Sequence, residues 1–207
     1  MKMLQLLRHG ILVLMCFVPW GVGYTLIDRS NNAPPSPLQK ALGAFSERDF
    51  NEAKRLIQAG RINDYDPRSD WFRTPLMYAV GNVGSNYDSS GKTANWMELV
   101  RLLIAVGADV NETGWLCYTP LHTAAEGESA DLVKLLIDHG SRINRQNCHG
   151  QTALMIAASV GKSELVVKEL LISGANPNIR AKNGKIALEF AKTAGIATLI
   201  SNASSKQ

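Results

Sequence analysis

The sequence predicts an all-α fold: a solenoid of about five helix-turn-helix repeats with β-hairpin fingers between them. A short motif that begins Thr-Pro-Leu or Thr-Ala-Leu recurs at Thr74, Thr119 and Thr152, and in degenerate form at Ile186. Between these copies, apolar stretches with helical spacing end in Gly, followed by a polar segment that contains Asn. Units of this kind bury one face each against a neighbour, so they fold as a stack.

The spacing of the motif gives the repeat length. Thr119 and Thr152 are 33 residues apart, and Ile186 follows after 34. Thr74 and Thr119 are 45 residues apart, so this repeat carries 12 residues beyond the period. Their Gly-, Ser- and Asn-rich composition predicts a surface loop over residues 81–95, between the two helices of the unit.

Local chemistry supports helix boundaries at these positions. Thr119 before Pro120 is typical of a helix start, because the hydroxyl accepts from free N–H groups and proline has no N–H to leave unpaired. Gly140 and Gly174 stand just beyond the second helices of their units, where a left-handed residue commonly ends a helix. Gly150 precedes the next helix start by two residues, which predicts a turn with positive φ.

The motif, the period and the Gly-Ala-Asp-Val-Asn segment at 107–111 together resemble the ankyrin repeat family. The resemblance implies a non-catalytic module whose concave face, made of fingers and first helices, binds another protein. It covers residues 36 to about 204, in units at about 36–67, 71–113, 116–147, 149–181 and 182–204.

The first 35 residues have a different character. A basic start precedes an apolar run over residues 11–18, and the small residues Gly21 and Gly23 follow in the spacing of a cleavage site. This pattern predicts an export signal over residues 1–23, followed by a polar linker over 24–35. The alternative is that the segment is retained as a membrane anchor. We therefore expect an exported protein, periplasmic in a Gram-negative bacterium, or attached to the inner membrane if the segment is retained.

Charge is distributed unevenly along the chain. Residues 24–139 hold 11 Lys and Arg against 15 Asp and Glu, whereas residues 140–207 hold 9 against 3. The chain without its predicted signal is close to neutral, which argues against a nucleic-acid-binding protein, a class with a strong basic excess. A surface that runs from acidic to basic would orient a protein partner of opposite polarity.

No catalytic, metal or cofactor site is expected. The sequence lacks the nucleophile-elbow, zinc-protease and phosphate-loop motifs. His122 is the first candidate for a chemical role, yet it is the fourth residue of Thr-Pro-Leu-His, for which the resemblance implies a structural role. A hydrolase or metal-dependent enzyme on the same scaffold is the alternative from another class.

Two cysteines follow the predicted signal, Cys117 and Cys148, in adjacent fingers. An exported protein could oxidise them. However, aligning the fingers by the repeat motif places Cys148 opposite Trp115, two positions from Cys117. Stacked repeats also hold matching positions farther apart than a disulfide spans. The alignment therefore argues against a disulfide, and ligands spread over different layers argue against a metal site.

Candidate partner-binding residues are finger residues that the repeat pattern does not dictate. We define the first finger as residues 61–73, the second as 109–118, the third as 142–151 and the fourth as 176–185. Trp, Tyr and Arg commonly dominate the binding energy of protein interfaces. The predicted partner-binding residues are Arg61, Asp64, Tyr65, Arg68, Trp71, Asp109, Glu112, Trp115, Tyr118, Arg142, Arg145, His149, Arg180 and Lys182.

These features predict a non-catalytic module of the cell envelope that binds one protein and modulates or neutralises it. An immunity protein against an envelope-targeting toxin is one example. The alternatives are a supporting factor for an envelope or antioxidant enzyme, and a membrane-anchored assembly scaffold.

Overall fold

The computed structural model describes residues 12–16, 23–27, 47–60, 74–84 and 92–205. The chain divides into two units, Met1–Pro34 and Pro35–Gln207. In the first unit, strands β1 (Leu12–Cys16) and β2 (Gly23–Ile27) pair antiparallel, with Leu12 opposite Ile27. The export signal and the linker assigned to this region remain predictions.

The described part of the second unit is a stack of eight α-helices, which confirms the all-α solenoid. The helices are α1 (Glu47–Gln58), α2 (Pro75–Gly84), α3 (Lys92–Ala105), α4 (Pro120–Ala125), α5 (Ala130–Asp138), α6 (Ala153–Val160), α7 (Glu164–Ile172) and α8 (Ala194–Ser204). First helices of successive repeats contact one another, α2 with α4 and α4 with α6, and second helices do so in the pairs α5–α7 and α7–α8. A 3-10 turn at Ala187–Phe190 takes the place of a first helix before α8.

The core runs through the stack between the helix layers. Ala124 and Ala157 are buried in the first helices, where their small side chains let neighbouring helices approach closely. Leu132 and Leu136 of α5 are fully buried, as is Leu170 of α7. Burial of such side chains stabilises the fold by about 1.5–3 kcal/mol each, so the stacking of repeats supplies most of the driving force.

Helix starts follow the predicted chemistry. The Thr119 hydroxyl oxygen accepts from the N–H of His122 at 3.4 Å, and Pro120 takes the first helical position. The Thr152 hydroxyl accepts from the N–H of Met155 at 3.4 Å in the next repeat. The predicted caps are therefore confirmed, and each satisfies a backbone N–H that the start of its helix would otherwise leave unpaired.

The second, third and fourth fingers are tight hairpin turns, and residues 109–118, 142–151 and 176–185 contain no β-strand. In the third finger, Asn147 N–H donates to Gln151 C=O at 2.8 Å, and Gly150 N–H donates to Asn147 C=O at 2.9 Å. Asparagines at the finger bases tie one repeat to the next, since the Asn111 side chain accepts from Arg142 N–H at 2.8 Å and donates to Gly140 C=O at 3.0 Å.

The loop between the two helices of the second repeat is shorter than the sequence predicts. Helix α2 extends to Gly84 and α3 begins at Lys92, so the expectation of a loop over 81–95 is wrong at both ends. Several of the extra residues lengthen the two helices instead. Residues 85–91 lie outside the described part of the chain.

Candidate protein-binding surface

The five candidates of the first finger lie outside the described residues. They are Arg61, Asp64, Tyr65, Arg68 and Trp71. The other nine candidates are described, and the fold places them on three successive fingers.

The second finger combines acidic and aromatic side chains. Asp109 is exposed, and its Oδ1 accepts from Asn111 N–H at 2.8 Å. Partial burial raises the pKa of the Glu112 carboxyl, and the nearby negative charge of Asp109 raises this pKa further. Trp115 stands at the tip and keeps 37% of its surface exposed. Tyr118 is half-buried against the core, with its ring centroid 5.4 Å from that of His122, so it belongs to the scaffold as much as to the surface.

The third and fourth fingers form a basic surface. Arg142 and His149 of the third finger are exposed, as are Arg180 and Lys182 of the fourth, whereas Arg145 is half-buried. The sequence of these two fingers contains no Asp or Glu. The positive charge is therefore not neutralised by carboxylates of the same fingers and faces solvent.

Each finger is joined to the next by a backbone hydrogen bond at the tip, and the bond has the same position in both pairs of fingers. Cys148 N–H donates to Leu116 C=O at 2.9 Å, and Lys182 N–H donates to His149 C=O at 3.0 Å. The Gln146 side chain adds a bridge between the third and fourth fingers by donating to Arg180 C=O at 2.9 Å. These bonds hold the three tips as one continuous surface.

His122 belongs to the scaffold of this surface. Its side chain is 1% exposed, and Nδ1 accepts from Thr119 N–H at 3.1 Å. Nε2 lies 3.1 Å from Gln151 C=O, which can only accept, so the proton of the neutral ring is on Nε2. Burial lowers the pKa of His122, and the positive charge of Arg145 lowers it further, against a partly opposing effect of the backbone carbonyls. A buried neutral ring with both nitrogens bonded ties the start of helix α4 to the third finger.

The structure overturns the argument against a disulfide. Cys117 and Cys148 are bonded, with their Cα atoms 5.2 Å apart. Cys148 is exposed and Cys117 is half-buried, so the bond crosses from the second finger to the third at the surface.

The reason lies in the turn of the second finger. Cys117 is 33 residues before Gly150 and takes the same turn position, with φ of 59° against 74° for the glycine. A Cβ added at Gly150 would point at the next finger, 2.6 Å from Lys182 N. The residue equivalent to Lys182, one finger earlier, is Cys148. A side chain at this turn position therefore points diagonally into the next finger, and a comparison of matching positions misses that direction.

The described part of the chain also bears on two other kinds of site, a membrane span and a metal site. Among these residues, no helix has both the length and the apolar character needed to cross a membrane. Within the same residues, no group of three or more His, Cys, Asp or Glu side chains is arranged to hold a metal ion.

Comparison with known proteins agrees with the repeat geometry. A family profile described as ankyrin repeats (3 copies) matches residues 89–181. This segment belongs to the ankyrin repeat family. Ankyrin repeats are protein-binding modules, and the fingers described above form part of such a module in this chain.

Curated relatives share the repeats within proteins of different kinds. The chain is 30% identical over 139 residues to ankyrin repeat and SOCS box protein 11 of Pongo abelii, which covers 67% of this chain and 37% of the relative. The Homo sapiens protein of that name is 30% identical over 59% of this chain and 32% of its own length. Transient receptor potential cation channel subfamily A member 1 of Homo sapiens is 31% identical over 65% of this chain and 11% of its own. The chain spans about a third or less of these relatives, so the similarity concerns the repeats.

Proposed function

We propose that this chain is a non-catalytic, exported adaptor that binds an acidic surface of one protein partner through its third and fourth fingers. The observation that carries the proposal is the basic surface of Arg142, Arg145, Arg180 and Lys182, on fingers without a carboxylate. Long-range attraction to such a surface raises the rate of encounter with an acidic partner and sets its orientation.

Trp115 gives this surface an apolar contact. It stands on the tip next to the basic fingers and is partly exposed. Interfaces gain most of their binding energy from a few residues of this type, while surrounding charges select the partner. An acidic surface with an apolar or aromatic group at one side would satisfy both parts.

A non-catalytic role is supported by the state of the reactive side chains. His122 is buried and uses both ring nitrogens within the scaffold, so it has no free nitrogen to act as a general base. Cys117 and Cys148 are bonded to each other, so neither is a free thiolate nucleophile in the oxidised form.

Export is supported by the N-terminal pattern and by the disulfide. A basic start, a short apolar run and small residues at 21 and 23 are typical of a secretory signal. Disulfides persist in oxidising compartments such as the periplasm and are rare where glutathione keeps thiols reduced. Within the envelope, the bound protein would be modulated or neutralised, as a toxin is by its immunity protein.

The test uses charge reversal on the full chain as bait in an envelope extract of the source organism. The double variant R142E/R145E is compared with K162E/K168E, which makes the same change in net charge at exposed positions of the α6–α7 turn and helix α7. We expect the finger variant to bind the captured protein about fivefold more weakly or worse, because each charge is reversed where the partner docks. The control should bind as the unmodified chain does.

Equal weakening by both double variants, or by neither, would show that the basic fingers are not the binding site. The identity of the captured protein then separates the roles that remain open. A toxin or lipase supports an immunity function, whereas an envelope or antioxidant enzyme supports a supporting factor.

A further inference from the structure

The turn of the second finger differs from those of the third and fourth fingers. Leu116 and Cys117 have φ of 56° and 59°, and they are the two residues other than glycine with positive φ in the described part of the chain. At the equivalent positions the third finger has His149 and Gly150, and only the glycine has positive φ. The second finger therefore adopts a conformation that L-residues disfavour, without a glycine to relieve it.

The side chain of Cys117 accounts for the difference. With the third finger's backbone, a Cβ at the glycine position would lie 2.6 Å from the next finger's backbone nitrogen, closer than real contacts allow. The second finger carries a Cβ at this position, and its backbone differs from that of the third finger in that Leu116 is left-handed as well. The bond from Cys117 to Cys148 then holds the turn against the third finger.

We propose that Cys117–Cys148 is a reversible thiol–disulfide site that sets the shape of the second finger. The oxidised form holds the left-handed turn, and with it the position of Trp115 beside the basic fingers. The reduced form releases Leu116 and Cys117 to ordinary backbone angles and displaces the tip. The proposal rests on the proposed function only in assigning the tip to the binding surface.

The reactant that switches the site is a dithiol reductant. Its thiolate attacks the sulfur of exposed Cys148 and forms a mixed disulfide, and Cys117 leaves as a thiolate that takes up a proton. The second thiol of the reductant, as a thiolate, then attacks the reductant's other sulfur, the one bonded to Cys148. Cys148 is released as a thiolate and takes up a proton. Two electrons pass to the protein, and the reductant is oxidised to an internal disulfide.

Backbone amides at the tips report the switch directly. Cys148 N–H is bonded to Leu116 C=O, and Gly114 N–H to Tyr118 C=O, so both are protected while the turn is intact. Lys182 N–H makes the equivalent bond to His149 between the third and fourth fingers. The Lys182 amide serves as an internal control because no disulfide joins the third finger to the fourth in the structure.

The experiment measures amide hydrogen exchange by NMR on the full chain, oxidised and after reduction with dithiothreitol. We expect the Gly114 and Cys148 amides to exchange about tenfold faster or more after reduction, since two left-handed residues lose their support. Exchange at Lys182 should not change. Unchanged exchange in the second finger would overturn the proposal, as would loss of the helical circular dichroism signal on reduction.

Two variants separate the turn from the cross-link. C148S removes the bond but keeps a cysteine at the left-handed position, so it should behave as the reduced protein. C117G/C148S also lacks the bond but restores the glycine found in the third and fourth fingers, so its second finger should stay protected in either buffer. Equal opening in both variants would overturn the proposal. These readouts need no partner, so failure of the proposed function leaves them intact, and partner capture by R142E/R145E does not depend on them.

Discussion

Replacing His122 by methionine tests whether its hydrogen bonds hold the start of helix α4 to the third finger. Methionine is the natural residue at the same position in the neighbouring repeats, where Met77 and Met155 are buried. The change therefore keeps an apolar side chain that the helix pair already accommodates. What it removes is the ring that bonds Thr119 N–H and Gln151 C=O.

The expected loss follows from these two groups. The Thr119 N–H is buried, and leaving it unpaired costs about 1–3 kcal/mol. The Gln151 carbonyl still accepts from Asn147 N–H after the substitution, so the loss of its bond to the ring is at the lower end of that range. We expect H122M to lower the free energy of unfolding by about 2–4 kcal/mol. The matched control M155L conserves volume at the equivalent position and should cost less than about 1.5 kcal/mol.

Urea unfolding followed by far-ultraviolet circular dichroism measures both variants. The midpoint and slope give the free energy, and an unchanged slope shows that the same surface is exposed on unfolding. A loss for H122M no larger than that for M155L would refute the reasoning, because it would mean that the ring contributes only packing.

Two further predictions concern the same scaffold. The pKa of His122 is lowered in the folded chain, so the unfolded chain binds a proton at pH values where the folded chain does not. The contribution of the neutral His122 ring to the free energy of unfolding is therefore fully present above about pH 6.5. It should fall by up to about 1.4 kcal/mol per pH unit below that, until the pH reaches the folded pKa, and urea titrations of H122M should lack this contribution. Gly150→Ala should cost more than Gly174→Ala, since a Cβ at Gly150 meets Lys182 N at 2.6 Å whereas nothing lies within 4 Å of one at Gly174. Both glycines have positive φ, so Gly174→Ala pays only the backbone cost of about 1–2 kcal/mol, and equal losses in thermal or urea unfolding would contradict the predicted contact.

The helix stack could be predicted because it depends on local and periodic signals. Thr119 and Thr152 mark helix starts by capping chemistry, and apolar residues at helical spacing mark the buried faces. Both signals belong to single repeats and survive without tertiary information. The ends of the helices beside the insertion could not be predicted, since the same Gly- and Ser-rich residues are compatible with a loop or with a helix that packs on α4.

The binding surface could be predicted from the sequence only in part. Exposure of Arg142 and Arg180 follows from their place in the fingers, and the structure places both at the surface. Residue type favours Tyr118 as a contact residue, but its ring packs beside His122 at the core. Residue type alone cannot separate an aromatic side chain that covers the scaffold from one such as Trp115 that reaches solvent.

The disulfide shows what a repeat alignment leaves out and how the same alignment could have found it. Matching positions on stacked fingers are separated by the thickness of a repeat, and on that basis Cys117 and Cys148 do not meet. Yet Cys117 falls at the turn position of Gly150, where a left-handed backbone aims Cβ at the following finger. A cysteine in place of that glycine disfavours the left-handed backbone conformation, but it supplies a side chain directed at residue 148. The unfavourable turn and the cross-link therefore depend on each other, since the bond holds Cys117 at a positive φ that glycine would adopt unaided, which is why reducing the bond should open this finger and no other.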